Sequence, residues 1–171
     1  MINFETKKVL FIDLDSTLIK TISGKTFPED ITDFRIQLPV LDKIIEKLPN
    51  LYRLFIVTNQ GGLIDTISEY DFETKLYSIE YFCSSYLDSR LSNYGCSDSM
   101  YCPSMDKINP YRKPNTAMLE GLYGRWEVES KEECIMIGDA SGKPGDFSDS
   151  DKKCAENFGI DYIDVRDFLE L

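Results

Sequence analysis

Asp13 and Asp15 stand one residue apart at the end of an uninterrupted apolar run, Val9-Leu10-Phe11-Ile12. The run is short and β-rich, as expected for a central strand of a parallel sheet covered on both faces. Sheets of that kind bind ligands beyond the carboxyl ends of their strands, so both acids fall where chemistry is built. Two carboxylates held together repel and raise one another's pKa unless a cation lies between them. A hard divalent ion with oxygen ligands meets that need, and Mg²⁺ fits best. The competing reading is a pair of solvated acids at an exposed strand end.

Three later positions extend the pattern. Thr58 follows a second apolar run over 51–57, Lys113 lies in a proline-bounded loop over 103–114, and Asp139 closes the run 134–138. Asp146 and Asp151 follow behind it. If these runs are parallel strands, their ends converge on one edge. A carboxylate that attacks phosphorus forms an aspartyl-phosphate, and the two displacements then need a group that protonates the leaving oxygen and later activates water. Asp15 can supply that proton to a reaction begun by Asp13. Mg²⁺ would draw the attacking carboxylate and a phosphate oxygen together, with Thr58 and Lys113 holding the remaining oxygens. Blander roles compete for each residue. Thr58 could cap a helix beginning near Gly62 or Asp65, and Lys113 could be a surface lysine. Asp151 could be an acid behind the metal ligands or only a helix N-terminal charge, and Asp146 could orient its own loop.

The elements that must position these residues read as an α/β chain. Residues 20–33 carry Gly24 and Pro28 and form a loop over the first strand's end, a candidate substrate loop. Helical spacing over 39–48 begins at Pro39, and the run 51–57 follows, completing a βαβ unit. Residues 68–91 are dense enough in apolar and aromatic side chains for a long, largely buried helix, whose aromatics read as core rather than a base-stacking surface. A short strand over 100–102, a helix over 115–125, a strand over 134–137, a helix over 150–158 closed by Gly159 and a last strand over 161–165 complete the order. The expectation is one domain over 1–171, with a Rossmann-like parallel sheet, helices on both faces and no segment long enough for a large cap.

Composition narrows the chemistry. There is no histidine, which removes Ser-His and Cys-His nucleophile pairs and the usual zinc ligands. Cys83, Cys96, Cys102, Cys134 and Cys154 include no close pair and read as free thiols of a reducing compartment. No apolar run approaches the length of a membrane span, so the expectation is a soluble intracellular monomer with no membrane partner. A net charge of −11 argues against broad, non-specific nucleic-acid binding without excluding a local basic lip.

These residues resemble the haloacid-dehalogenase-like phosphatases, whose pattern is D-x-D-x-T, then Thr or Ser after the second strand, a Lys, and G-D with a further acid. All four are present in order, with Ser16 where that family more often has Gly. Within it the chain is similar to the 3′-phosphatase domain of polynucleotide kinase/phosphatase, through the stretches 13–18, Ser23-Gly24-Lys25 with Phe27-Pro28, Asp33-Phe34-Arg35-Ile36, Thr58-Asn59-Gln60, Tyr111-Arg112-Lys113-Pro114, Gly138-Asp139-Ala140-Ser141-Gly142 and Asp146-Phe147-Ser148. The resemblance implies Asp13 as nucleophile and Asp15 as general acid/base. It implies Mg²⁺ on Asp13, the backbone carbonyl of Asp15 and Asp139. Substrate contacts fall to Ser16, Thr17, Lys25, Asn59 and Arg112. Arg35 and Lys143 join Lys25 and Arg112 as candidates for the rest of a DNA strand.

The expected activity is removal of a 3′-phosphate from DNA ends, a repair chemistry, by a phosphatase domain standing alone, since no phosphate-binding G-x-x-x-x-G-K-[ST] loop is present. A small-molecule phosphatase of the histidinol-phosphate or heptose-bisphosphate type is the alternative. A phospho-acceptor signalling domain would place adjacent acids after its first strand, unlike the spaced pair here. Cys96 and Cys102 cannot fill a four-coordinate zinc site without histidine.

Overall fold

A computed structural model describes residues 2–25, 28–63 and 67–171. Phe27 of the loop motif and Asp65 therefore lie outside the described residues. Five strands, β1 (Val9–Ile12), β4 (Arg53–Asn59), β5 (Cys96–Cys102), β6 (Cys134–Gly138) and β7 (Asp161–Asp164), form one sheet in the order β5-β4-β1-β6-β7. Every pairing is parallel. A two-stranded antiparallel ribbon, β2 (Ile19–Lys20) with β3 (Arg35–Ile36), is set between β1 and the first helix.

Helices cover both faces because the strands are apolar on both sides. Leu10, Ile12, Leu54, Ile56, Ile135 and Ile137 point to one face and pack with α1 (Leu38–Lys47), α2 (Glu69–Asp88) and α5 (Val165–Leu169). Their alternate neighbours Val9, Phe11, Phe55, Val57, Cys134 and Met136 point to the other, under α3 (Ala117–Arg125) and α4 (Ser150–Phe158). The two-residue period of a strand thus splits each uninterrupted run into two cores. No described helix is long and apolar enough to cross a membrane.

Four expectations need correction. The loop read over 20–33 gives up its first residue to the β2–β3 ribbon, which extends from Ile19 to Ile36. The strand read as 100–102 runs from Cys96, because Ser97, Asp98 and Ser99 lie on an edge strand that is nowhere fully buried before Cys102. The helix read as 68–91 ends at Asp88, and its aromatics are not all core. Tyr70, Tyr77 and Tyr81 are 77%, 69% and 67% exposed, while Phe72, Leu76, Ile79, Cys83 and Leu87 form the buried stripe. The chain also ends in helix α5, where a strand was read up to Val165; the Asp164 carboxylate caps it by accepting from the Arg166 amide.

Candidate active site

The register of the sheet brings the predicted residues together. Ile12 lies beside Ile56 and Ile137. The Asp13 amide extends the ladder one step by donating to the Ile137 carbonyl at 2.9 Å. Asp13 is thereby level with Val57 and Gly138, with Thr58 and Asp139 one residue further out. Ser16 then takes φ = 63°, the left-handed region. A residue with a Cβ is strained there, which accounts for the glycine more common at this place in the related pattern.

Lys113 is the pivot of the site. Its ammonium lies 2.6 Å from Asp13 Oδ1, 2.7 Å from Asp151 Oδ1 and 2.8 Å from the Val57 carbonyl. These three contacts use all the donors a lysine has, so a phosphate oxygen reaches Lys113 only by displacing one of them. Lys113, Asp13 and Asp151 are 3%, 7% and 2% exposed. Burial alone would lower the Lys113 pKa, but the two carboxylates outweigh it and keep the ammonium charged. Asn59 fixes the lysine's backbone in both directions, donating to the Lys113 carbonyl at 3.0 Å and accepting from its amide at 2.9 Å.

The acids that converge are Asp13, Asp139 and Asp151, each offering an oxygen within 4.8 Å of the others. Burial pushes Asp13 well above the usual carboxylate range, more than Lys113 holds it down, and Asp151 and Asp139 push further. Burial, then Asp151, raises Asp139 to about 6. Three carboxylates facing one lysine are short of positive charge, and all the donors are hard oxygens, so the set suits Mg²⁺. Asp151 reaches this cluster from the first turn of α4. Its carboxylate accepts from the Ala140 amide at 3.1 Å, and its own amide donates back to the Ala140 carbonyl at 3.2 Å. Gly138 leaves the room: a Cβ there would stand 2.3 Å from Asp151 Oδ2.

Asp15 and Thr58 sit beside this group, joined by a residue absent from the predicted site. The Gln60 amide donates to Asp15 Oδ2 at 2.6 Å and to Thr58 Oγ at 2.9 Å. Thr58 lies within β4, 1% exposed, and caps none of the described helices. Gln60 stands in the Thr58-Asn59-Gln60 string, which is the signal that could have singled it out.

Several predicted residues are engaged elsewhere. Asp146 accepts from the Ser141 hydroxyl and the Ser141 and Lys143 amides and pairs with Arg166 at 2.8 Å, organising the loop after β6. Burial would raise it, but these bonds outweigh burial and draw it to about 2. Asp151 is therefore the nearer acid. Lys25 pairs with Glu29, and Lys143 with Asp167 at 2.6 Å. Arg35 is exposed, and Arg112 donates to the Ser104 carbonyl at 2.8 Å, bracing the loop that carries Lys113. The loop between β2 and β3 is held by Asp33, whose carboxylate accepts from the Ser23 amide, the Ser23 hydroxyl and the Glu29 amide at 2.7–2.9 Å.

Residues 8–168 match the family described as polynucleotide kinase 3 phosphatase. The chain belongs to that family. It is a phosphatase with the fold of the haloacid-dehalogenase-like class. A Bifunctional polynucleotide phosphatase/kinase from Schizosaccharomyces pombe is 32% identical over 167 residues, covering 96% of this chain and 38% of that protein. The chain thus spans well under half of that relative's length. A HAD-like phosphatase from Mesorhizobium loti shares the fold with a TM-score of 0.61 at 16% identity, covering 90% of this chain and 69% of that one. The D,D-heptose 1,7-bisphosphate phosphatase from B. bronchiseptica, complexed with magnesium and phosphate, does so at 0.58 and 17%, covering 95% and 96%.

Proposed function

We propose that this phosphatase removes 3′-phosphates from DNA ends, with Mg²⁺ as cofactor and Asp13 as the acceptor of the phosphoryl group. The observation that carries the reading is the buried Lys113 held between Asp13 and Asp151 at the strand edge, in a chain 32% identical to a polynucleotide phosphatase/kinase. Between β1 and α1 the described residues form a ribbon and loop rather than a cap, which favours a polymeric substrate. Asp13, Asp139 and Asp151 would hold the ion, together with the Asp15 carbonyl that the resemblance implies. Bound there, Mg²⁺ supplies charge compensation for the acids and polarises a phosphoryl oxygen.

The chain's own residues do the rest. An Asp13 carboxylate oxygen attacks phosphorus while the bond to the sugar oxygen breaks, and Asp15 gives that oxygen its proton. Asp15 then takes a proton from water as the water attacks the aspartyl-phosphate, releasing inorganic phosphate and restoring Asp13. Gln60 keeps Asp15 and Thr58 in fixed relation through both steps. Thr58 offers its hydroxyl to a phosphoryl oxygen, and Lys113 offsets the charge on Asp13.

The acidic balance of −11 favours the second reading, a small phosphate ester. Turnover of a 3′-phosphorylated oligonucleotide, histidinol phosphate and a heptose bisphosphate, each with Mg²⁺ and with chelator, separates the two. The proposal expects the oligonucleotide to be preferred and chelator to stop the reaction. No release of phosphate from the oligonucleotide in Mg²⁺ would remove the DNA reading.

A further inference from the structure

Beside the reaction centre, where α1 and α5 meet the turn after β1, lies a cavity of about 210 Å³. Ser16, Thr17, Lys20, Gln37 and Arg166 supply its polar lining. Val40, Val165 and Leu169 supply an apolar wall. Asp139 belongs to the lining as well as to the carboxylate cluster, so the cavity and the reaction centre share a wall. The Thr17 hydroxyl is buried without a hydrogen-bond partner, and Gln37 precedes α1 without capping it. Arg166 is already answered by Asp146 and Asp164. Among the described residues the Lys20 ammonium has neither ion pair nor hydrogen bond.

Buried polar groups are ordinarily satisfied. Thr17 alone among these groups is buried and departs from that rule; the half-buried Gln37 side chain and the exposed Lys20 ammonium line the same small cavity. Its volume is below the roughly 300 Å³ at which drug-sized pockets begin, so it suits a fragment rather than a whole nucleotide. The Val and Leu side chains suit the C–H face of a sugar ring, the hydroxyls and amide suit its oxygens, and Lys20 suits an anion. We propose that this cavity is a second subsite, which takes a sugar unit bearing a second phosphate beside the one that Asp13 attacks, with Lys20 as the anion contact. The inference rests on the proposed reading of Asp13. It adds that the enzyme distinguishes bisphosphates, or a polymer's next phosphodiester, from simple monoesters.

Equilibrium binding to the full chain carrying Asp13→Asn, with Mg²⁺ present, tests this without turnover. The ligands are a nucleoside 3′-monophosphate, a nucleoside 3′,5′-bisphosphate, a 3′-phosphorylated oligonucleotide, and a heptose monophosphate with its 1,7-bisphosphate. The second phosphate is expected to tighten binding about tenfold, the scale of one charge-assisted contact. Adding Lys20→Ala should bring that ratio within about twofold, and Lys20→Arg should recover most of it. A gain confined to the nucleotides supports a polymer-fed subsite, and one confined to the heptose pair supports a small-ester subsite. A ratio near one for every pair, no binding of any ligand, or a ratio that Lys20→Ala leaves unmoved overturns the proposal. Failure of the DNA reading is distinct: wild-type protein would then release no phosphate from the oligonucleotide, while the Lys20-dependent ratio persisted on the heptose pair.

Discussion

Replacing Lys113 by Met keeps the stem's volume and removes one charge from the most buried ion group among the described residues. Asp13 and Asp151 would then lie 7% and 2% exposed with no lysine between them. Removing one partner of a buried pair costs about 3–5 kcal/mol, because the remaining charge stays desolvated. At about 2–4 °C per kcal/mol for a chain of this size, the melting temperature at pH 7.5 should fall by roughly 6–20 °C without metal. The sign of the pH dependence follows from Asp13, whose carboxyl burial pushes up. A raised acid binds its proton more tightly when folded, so its penalty is absent at low pH, grows as pH rises from the unfolded value of about 4 and is complete above the folded value. The gap between variant and wild type should therefore narrow at pH 5. Mg²⁺ should narrow it at pH 7.5 by replacing the missing positive charge. Urea denaturation at both pH values, with and without Mg²⁺, measures all three effects. A variant within 1 kcal/mol of wild type at pH 7.5, or a gap that widens on acidification, would refute the reasoning.

Asp13→Asn should lower turnover by about a thousandfold or more, as loss of a nucleophile does, while melting close to wild type because Lys113 keeps Asp151; steady-state rates and calorimetry check both. Gly138→Ala sets a Cβ 2.3 Å from Asp151 Oδ2, and should cost about 1–3 kcal/mol of stability and weaken Mg²⁺ binding in titration calorimetry. Ser16→Gly relieves the left-handed strain at φ = 63°, and should raise stability by about 0.5–1 kcal/mol in a urea melt. Asp139 is raised to about 6. Below that pH, Mg²⁺ must displace its proton, so affinity should fall on acidification and binding should release protons, read from calorimetry in buffers of different ionisation heat. The metal-free protein's stability should in turn fall as pH rises from about 4 through 6.

Much of the site was legible because it is built on strand ends. The run 9–12 matches its strand and the run 134–137 falls one residue short of its own, which ends at Gly138; both were legible because both of their faces are buried, which leaves an uninterrupted apolar signature. Once they are parallel neighbours, Asp13 and Asp139 must approach each other. What remained hidden depends on partners rather than pattern. The sequence offers Asp146 and Asp151 alike as the acid behind the metal ligands, and only the close packing at Gly138 and the Ala140 bonds bring Asp151 to Lys113. Gln60 gains its place from two side chains that meet only in three dimensions. The edge strand β5 was shortened because Ser97, Asp98 and Ser99 carry no apolar run, and their pairing with β4 is what makes them a strand. In α2, helical spacing marked the buried stripe but gave no sign of which tyrosines face outward.

The most direct test of the account is acid quenching of a reaction between the protein, Mg²⁺ and a 3′-phosphorylated oligonucleotide, followed by borohydride reduction and tandem mass spectrometry. The account predicts an acyl-phosphate at Asp13, seen as its reduction product at that position and absent from Asp13→Asn. Phosphate on another residue, or turnover with no covalent adduct at any quench time, would contradict it.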